Sequence, residues 1–229
     1  MFTLYGYFDS IMEGTWMTLN LALSSLLVAV ILGMLAALGK LSNSRPLRFV
    51  TLTYTTIIRG IPDLVLMLLI FYGGQMLVNN LAYSLGYEEY IDINPFVAGV
   101  ATIGFIFGAY MAETFRGAIM AVSKGQLEAG ASYGMSRFQV FYRILLPQMI
   151  RYALPSFGNN WLVMIKATAI VSIIGLDDMV RKADLAAKAT RQPFTFYILV
   201  ACNYLIFTTV SSYILAWAER RYSLGERRV

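Results

Sequence analysis

Histidine is absent from the 229 residues, and cysteine occurs once, as Cys202 inside an apolar run. These absences exclude a disulfide framework, a Cys/His zinc site and a histidine general base. Charge is scarce as well: 14% of residues are charged and 58% are hydrophobic, too apolar for an ordinary soluble domain. The net charge is +5, yet the basic residues cluster between apolar segments rather than forming a nucleic-acid stripe, so membrane lipid is the expected surrounding and nucleic acid is not. The first 39 residues contain no Lys or Arg, so the basic opening of a secretory signal peptide is missing and the first apolar segment is expected to be retained as a span. There is no phosphate-binding loop: the nearest approach, Gly33 to Gly39-Lys40, has five intervening residues and is followed by Leu41. The chain is therefore expected not to use ATP itself, and neither a catalytic set, a metal site nor a cofactor is indicated. No repeat, low-complexity tract or soluble segment long enough to fold alone interrupts residues 1–229, which implies one domain.

What remains is apolar sequence in five stretches, and the expected fold is an all-α polytopic membrane protein. Residues 14–39 are uncharged and exceed the ~20 apolar residues one span needs. A second stretch runs from about Phe49 to Leu77, broken by Arg59-Gly60-Ile61-Pro62-Asp63. Pro95 opens the third, with Gly104 and Gly108 at the spacing that lets helices approach closely. The fourth lies near Tyr152–Leu176 and holds Lys166; the fifth covers Pro193–Ala218 without a charge. Charge between the stretches orients them. The 40–48 connection has three basic residues (Lys40, Arg45, Arg48) and no acid, the 78–94 connection three acids and no base, and 116–153 five bases against Glu128. The tail offers Arg220, Arg221, Arg227 and Arg228 against two acids, while 177–192 is nearly neutral. The positive-inside rule then predicts the N-terminus outside and the C-terminus in the cytoplasm.

Several groups are candidates for chemistry. The polar run from Glu128 to Pro147 has small residues first, then Gly134, which can end a helix, then Phe138, Phe141 and Leu145 at helical spacing. It reads either as two short helices around a glycine corner at a membrane surface or as an amphipathic connecting loop. Arg59 and Asp63 are four apart and would share a face on a continuous helix, but Gly60 and Pro62 weaken that helix. They either flank a solute site at a broken helix or form a self-neutralising pair that holds a kink. Glu113 and Lys166 lie within spans, where each charge costs on the order of 2.5–3.5 kcal/mol and faces a partner or a watery cavity. Arg116 is read as a boundary residue that snorkels, Trp16, Tyr72, Trp161 and Trp217 as interface anchors, and the methionines as span filler.

Glu128, Ala129, Gly134, Ile144, Leu146 and Pro147 match, in type and spacing, the EAA motif of permease subunits of bacterial ATP-binding-cassette (ABC) importers. Gly130 stands where that motif has its second Ala, a change that costs helix propensity but not room. The wider chain resembles the polar and basic amino-acid branch of this family over nearly all its length. The resemblance implies a type I importer permease fold in the bacterial inner membrane, with the 128–147 loop cytoplasmic and docked in a groove of an ATPase subunit. It also implies an ATPase dimer, a second permease subunit (a sister chain or a copy) and a periplasmic substrate-binding protein. Arg59-Gly60-Ile61-Pro62 resembles the Arg-Gly-Thr-Pro turn of amino-acid permeases. The family usually has Leu next; Asp63 is shared with the histidine, lysine, arginine, ornithine and opine branch. Lys166-Ala167-Thr168 resembles the family's Lys-x-Thr element. On this footing Arg59 or Lys166, with Thr168 beside it, is expected to hold a substrate carboxylate, and Asp63 or Glu113 a basic side chain.

Two other classes compete. An ion-coupled secondary transporter is disfavoured by five spans without an internal repeat. An intramembrane enzyme would have to work with carboxylates and Lys166 alone.

Overall fold

The computed structural model describes residues 4–223, with side chains as far as Tyr222. Arg227 and Arg228, two of the tail's basic residues, lie outside the described residues. Among the described residues all regular structure is helical. Five stretches are long and apolar enough to cross a membrane: Phe8–Leu41, Asp63–Ser84, Pro95–Ala121, Arg137–Ile174 and Pro193–Tyr222.

Helix α1 (Phe8–Leu41) starts six residues before the first expected span and is paired along its length with α4 (Pro95–Ala121). Glycine makes that pairing close. A Cβ on Gly104 would come within 2.5 Å of Val28, one on Gly108 within 3.0 Å of Leu32, and one on Gly33 within 2.5 Å of Met111. Both helices therefore approach almost backbone to backbone, burying Leu21, Ala29, Ala37, Ile103, Ile106 and Phe107. Helix α4 begins sharply because Pro95 occupies its first turn and the Asn94 side chain accepts from the N–H groups of Phe96 (2.9 Å) and Val97 (3.3 Å).

The second apolar stretch is two helices. Helix α2 (Arg45–Gly60) is amphipathic and ends at Ile61-Pro62, whose extended backbone starts α3 (Asp63–Ser84) on a new axis. Helix α2 is held in the bundle by Tyr54, whose hydroxyl donates to the Phe105 carbonyl at 2.6 Å. At the far end of α3, Gln75 and Asn79 clamp the following loop. Asn79 takes the Ile91 N–H at 2.8 Å, Gln75 takes the Ile93 N–H at 3.0 Å, and both amides donate to the Ile91 carbonyl.

Helix α5 (Lys124–Ser132) closes on Gly134 at φ 79°. The Met135 N–H reaches the Gly130 carbonyl (3.2 Å) and the Gly134 N–H the Ala131 carbonyl (3.0 Å), the paired bonds of a Schellman ending. Helix α6 (Arg137–Val140) restarts the chain with a capping box between Ser136 and Gln139. It does not stop there: a π-turn (Phe141–Leu145) carries it into α7 (Leu146–Ala167) and a 3₁₀ segment (Thr168–Ile174). The second of the two expected short helices is thus the head of the fourth span, whose backbone ladder is interrupted by the π-turn and by the imino groups of Pro147 and Pro155.

A second, smaller core sits at the N-terminal end of α1. Helix α8 (Met179–Thr190) presses its first residues onto Gly14, and Ile11, Met179, Ala183, Ala186 and Phe196 close the cluster. Its N-cap, Asp178, is fully buried; its Oδ1 accepts from the Arg181 N–H at 2.9 Å while Oδ2 has no partner. Helix α9 (Pro193–Ser223) buries little: 6% of its most apolar window is inside the chain. Trp161, expected as an interface anchor, is instead 8% exposed within the main core, whereas Trp16 and Trp217 are exposed.

Candidate functional site

The break at Ile61-Pro62 separates Arg59 from Asp63. Arg59 ends α2 and Asp63 opens α3, so each charge sits at the helix terminus whose dipole favours it. They form no ion pair with each other, which removes the kink-holding pair. Arg59 turns to α4 instead: its guanidinium is 3.7 Å from Glu113 and lies 5.7 Å over the Tyr110 ring. Asp63 meets the same tyrosine, accepting from its hydroxyl at 3.4 Å.

Glu113 is the hub. Lys40, from the end of α1, donates to it, and Arg116, one turn on, lies at 3.3 Å. Lys40 is therefore not a loop cation: its side chain is 4% exposed, at the foot of the bundle. Arg116 is half-exposed, but its guanidinium is turned to Glu113 rather than free to snorkel. Three cations on one carboxylate leave local positive charge, and of the two part-exposed members, Arg59 and Arg116, Arg59 is the one that lines the adjoining cavity.

A cavity of about 390 Å³ opens beside this cluster between α2, α4 and α7, lined by Arg59, Tyr110, Glu113, Thr114, Ser156 and Asn159, with Asn160 and Pro155 completing the wall. Asn160 donates to the Thr114 hydroxyl at 3.0 Å, which joins α7 to α4 at the cavity edge. The lining offers a guanidinium, hydroxyls and amides around one carboxylate, a set that can bind a small polar, charged solute but supplies no nucleophile–base pair. Of the residues read from sequence, Arg59 and Glu113 line the cavity and Asp63 is joined to it through Tyr110. Lys166 is exposed and has no partner among the described residues. The Thr168 hydroxyl donates to the Ile165 carbonyl (2.6 Å) and meets Tyr204 of α9 at 3.3 Å, so it ties two helices together. Neither lies on the cavity wall. Lys40, Tyr110, Thr114, Ser156, Asn159 and Asn160 escaped the sequence reading; two adjacent amides in mid-span were the available signal.

The second candidate surface is the Glu128–Pro147 segment. Glu128, Ala129, Gly134 and Pro147 are exposed, Ile144 and Leu146 are half-buried, and Gly130 is buried. At Gly130 a Cβ would lie 2.5 Å from Ile144 Cδ1, the tip of a side chain that can turn aside, so room is tight there without being closed. The glycine eases the approach of α5 to the root of the fourth span. Tyr133 (89% exposed) and the stacked pair Phe138–Tyr142 (centroids 6.2 Å apart) project outward around this corner, more aromatic surface than a solvated loop shows.

Known proteins share this architecture. Residues 29–224 match the family described as binding-protein-dependent transport system inner membrane component. The histidine/lysine/arginine/ornithine transport system permease protein HisQ of Escherichia coli (strain K12) is 53% identical over 225 residues, 98% of each chain. The octopine transport system permease protein OccQ of Rhizobium radiobacter is 39% identical, covering 98% of this chain and 94% of its own. A chain in the crystal structure of an amino acid ABC transporter with histidines superposes with a TM-score of 0.79 at 36% identity, covering 96% of this chain and 97% of its own. Five spans, a polar cavity at a broken helix and a glycine-cornered loop are the fold of a type I importer permease, and the chain belongs to the binding-protein-dependent family of inner-membrane ABC permease components.

Proposed function

We propose that residues 1–229 act as one transmembrane domain of an ATP-driven importer of polar, basic amino acids: histidine, lysine, arginine, ornithine or opines. ATP hydrolysis falls to a separate ATPase dimer, which grips the cytoplasmic Glu128–Pro147 corner through Glu128, Ala129, Gly130, Gly134, Ile144, Leu146 and Pro147. A second permease subunit, a sister chain, completes the pathway, and a periplasmic binding protein delivers the solute from the side of the N-terminus. The names and identity of the relatives support this reading. One observation in the chain carries the substrate class. Glu113 is neutralised by Lys40, Arg59 and Arg116, whereas Asp63 has only a tyrosine hydroxyl. Asp63 is thus the acid still available to a cationic side chain, with Arg59 placed to take the α-carboxylate. Lys166 and Thr168, off the cavity wall, have no part in this assignment.

Removing a desolvated ion-pair partner costs about 2–5 kcal/mol, roughly 30-fold or more in affinity. Asp63→Asn should therefore weaken uptake of arginine and histidine by reconstituted vesicles at least that much and leave glutamine little changed. Equal losses for all three solutes would make Asp63 a structural residue.

A further inference from the structure

A second cavity lies on the neighbouring face of α4 and α7, where α1 crosses them. It measures about 360 Å³ and is lined by apolar side chains alone, among them Val30, Met34, Phe115, Met149 and Leu154. Its floor follows one stripe of α7: Leu146, Ile150, Ala153 and Phe157 recur at four- and three-residue spacing and so share a helix face. From Leu146 to Phe157 the stripe is ~16 Å long at the helical rise, about half of the ~30 Å hydrocarbon core of a bilayer. The groove therefore matches the acyl layer of a single leaflet, and it begins at the Glu128–Pro147 end. Arg143, three residues before Leu146, is exposed in the π-turn that precedes this end of the groove. A cation one turn beyond the mouth of an apolar groove one leaflet deep is complementary to an anionic phospholipid, and the cytoplasmic leaflet is where anionic lipids concentrate. Met34 and Met149 supply the adaptable walls that fit a flexible chain.

We infer that this groove is a binding site for one acyl chain of an anionic phospholipid, whose phosphate is held by Arg143. The choice of leaflet rests on the proposed orientation; the existence of the site does not. The test uses the whole transporter in vesicles of phosphatidylethanolamine and phosphatidylglycerol, with a photoreactive side chain at Ile150 and native mass spectrometry of the extracted complex. The photoprobe should attach to lipid, and one phospholipid, enriched in phosphatidylglycerol, should be retained per copy of this subunit. Ala153→Phe, or Met34→Trp from the opposite wall should the first fail to assemble, should cut retention at least tenfold. Arg143→Gln should keep a lipid but lose the preference for phosphatidylglycerol. Attachment of the probe to a second permease chain, or unchanged retention in the filled-groove variant, overturns the site. An unchanged headgroup preference in Arg143→Gln overturns the role of the arginine. Lipid retention is read without any transported solute, so its failure is separate from failure of the importer assignment.

Discussion

Glu113 and Lys40 are unequal partners, and the inequality can be measured. Glu113 has two other cations, so Lys40→Met leaves it paired; Glu113→Gln leaves the 4%-exposed Lys40 ammonium without its acid. Breaking a buried pair in that way costs about 3–5 kcal/mol. Thermal unfolding in detergent should show Glu113→Gln to be the more destabilised variant by several degrees; the reverse order would mean that Lys40 finds solvent. Asp178, between the last two spans, makes a second prediction. Burial pushes its carboxyl up to about 6, against the bonds donated by the Arg181 and Val180 N–H groups, which pull it down. The folded chain therefore takes up a proton that the unfolded chain releases above about 4, its ordinary value. Stability should fall as pH rises from about 4 to 6 and level off above that. The carboxylate's burial costs roughly 2–3 kcal/mol at neutral pH. Asn still caps a helix, so Asp178→Asn should flatten the pH dependence of the melting temperature and raise it at pH 7. A melting temperature unchanged from pH 4 to 7 in the unsubstituted protein would place the carboxyl in contact with water.

At the scale of elements, the α5–α6 corner depends on Gly134. Its φ of 79° is a conformation that a β-branched residue reaches only with strain of about 1–3 kcal/mol, although there is open space for the side chain. Gly134→Val should insert normally yet lose ATPase stimulation and uptake, whereas Gly134→Asn, tolerant of this region, should retain most of both. Normal substrate-stimulated hydrolysis in the valine variant would detach the corner from coupling. This corner was legible because glycine and a run of small residues are local signals. The site was legible only in part. Arg59 and Asp63 drew notice as charges, but a four-residue spacing places them on one face only if the helix continues, and Pro62 ends it. Lys40 counted toward the loop charge because nothing local distinguishes a cation that turns inward to an acid 73 positions away. Ser156, Asn159 and Asn160 are neutral and pass as ordinary span residues; their meeting with Thr114 and Arg59 is tertiary. Trp161 was misplaced for the same reason: a tryptophan near a span end and one in a core look alike until the packing is known.

For the whole molecule, charge predicts the orientation. The 78–94 connection is acidic, 116–153 is predominantly basic, and 40–48 keeps Arg45 and Arg48 with no acid even with Lys40 moved into the bundle. Reporter fusions at Asn43 and Ser136 should give cytoplasmic signals and one at Tyr87 an external signal; a cytoplasmic signal at Tyr87 would invert the arrangement. The five spans were legible because apolar length is a crude and sufficient sign. The break in the second was legible from Gly60 and Pro62; that α2, with its own polar face, packs in the bundle as a separate helix and leaves the span to α3 was not.

The unbroken course from Arg137 to Ile174 gives the molecule a lever. At about 1.5 Å per residue, its 38 residues extend ~57 Å, and Ser156, Asn159 and Asn160 stand near its midpoint. Pro155, one residue before them, deletes a backbone hydrogen bond, as Pro147 does nearer the corner, and so puts one soft joint of the rod beside the cavity wall. On the proposed coupling, torque applied at the aromatic corner would reach a yielding joint where the solute would sit, and the binding surface itself would serve as a hinge.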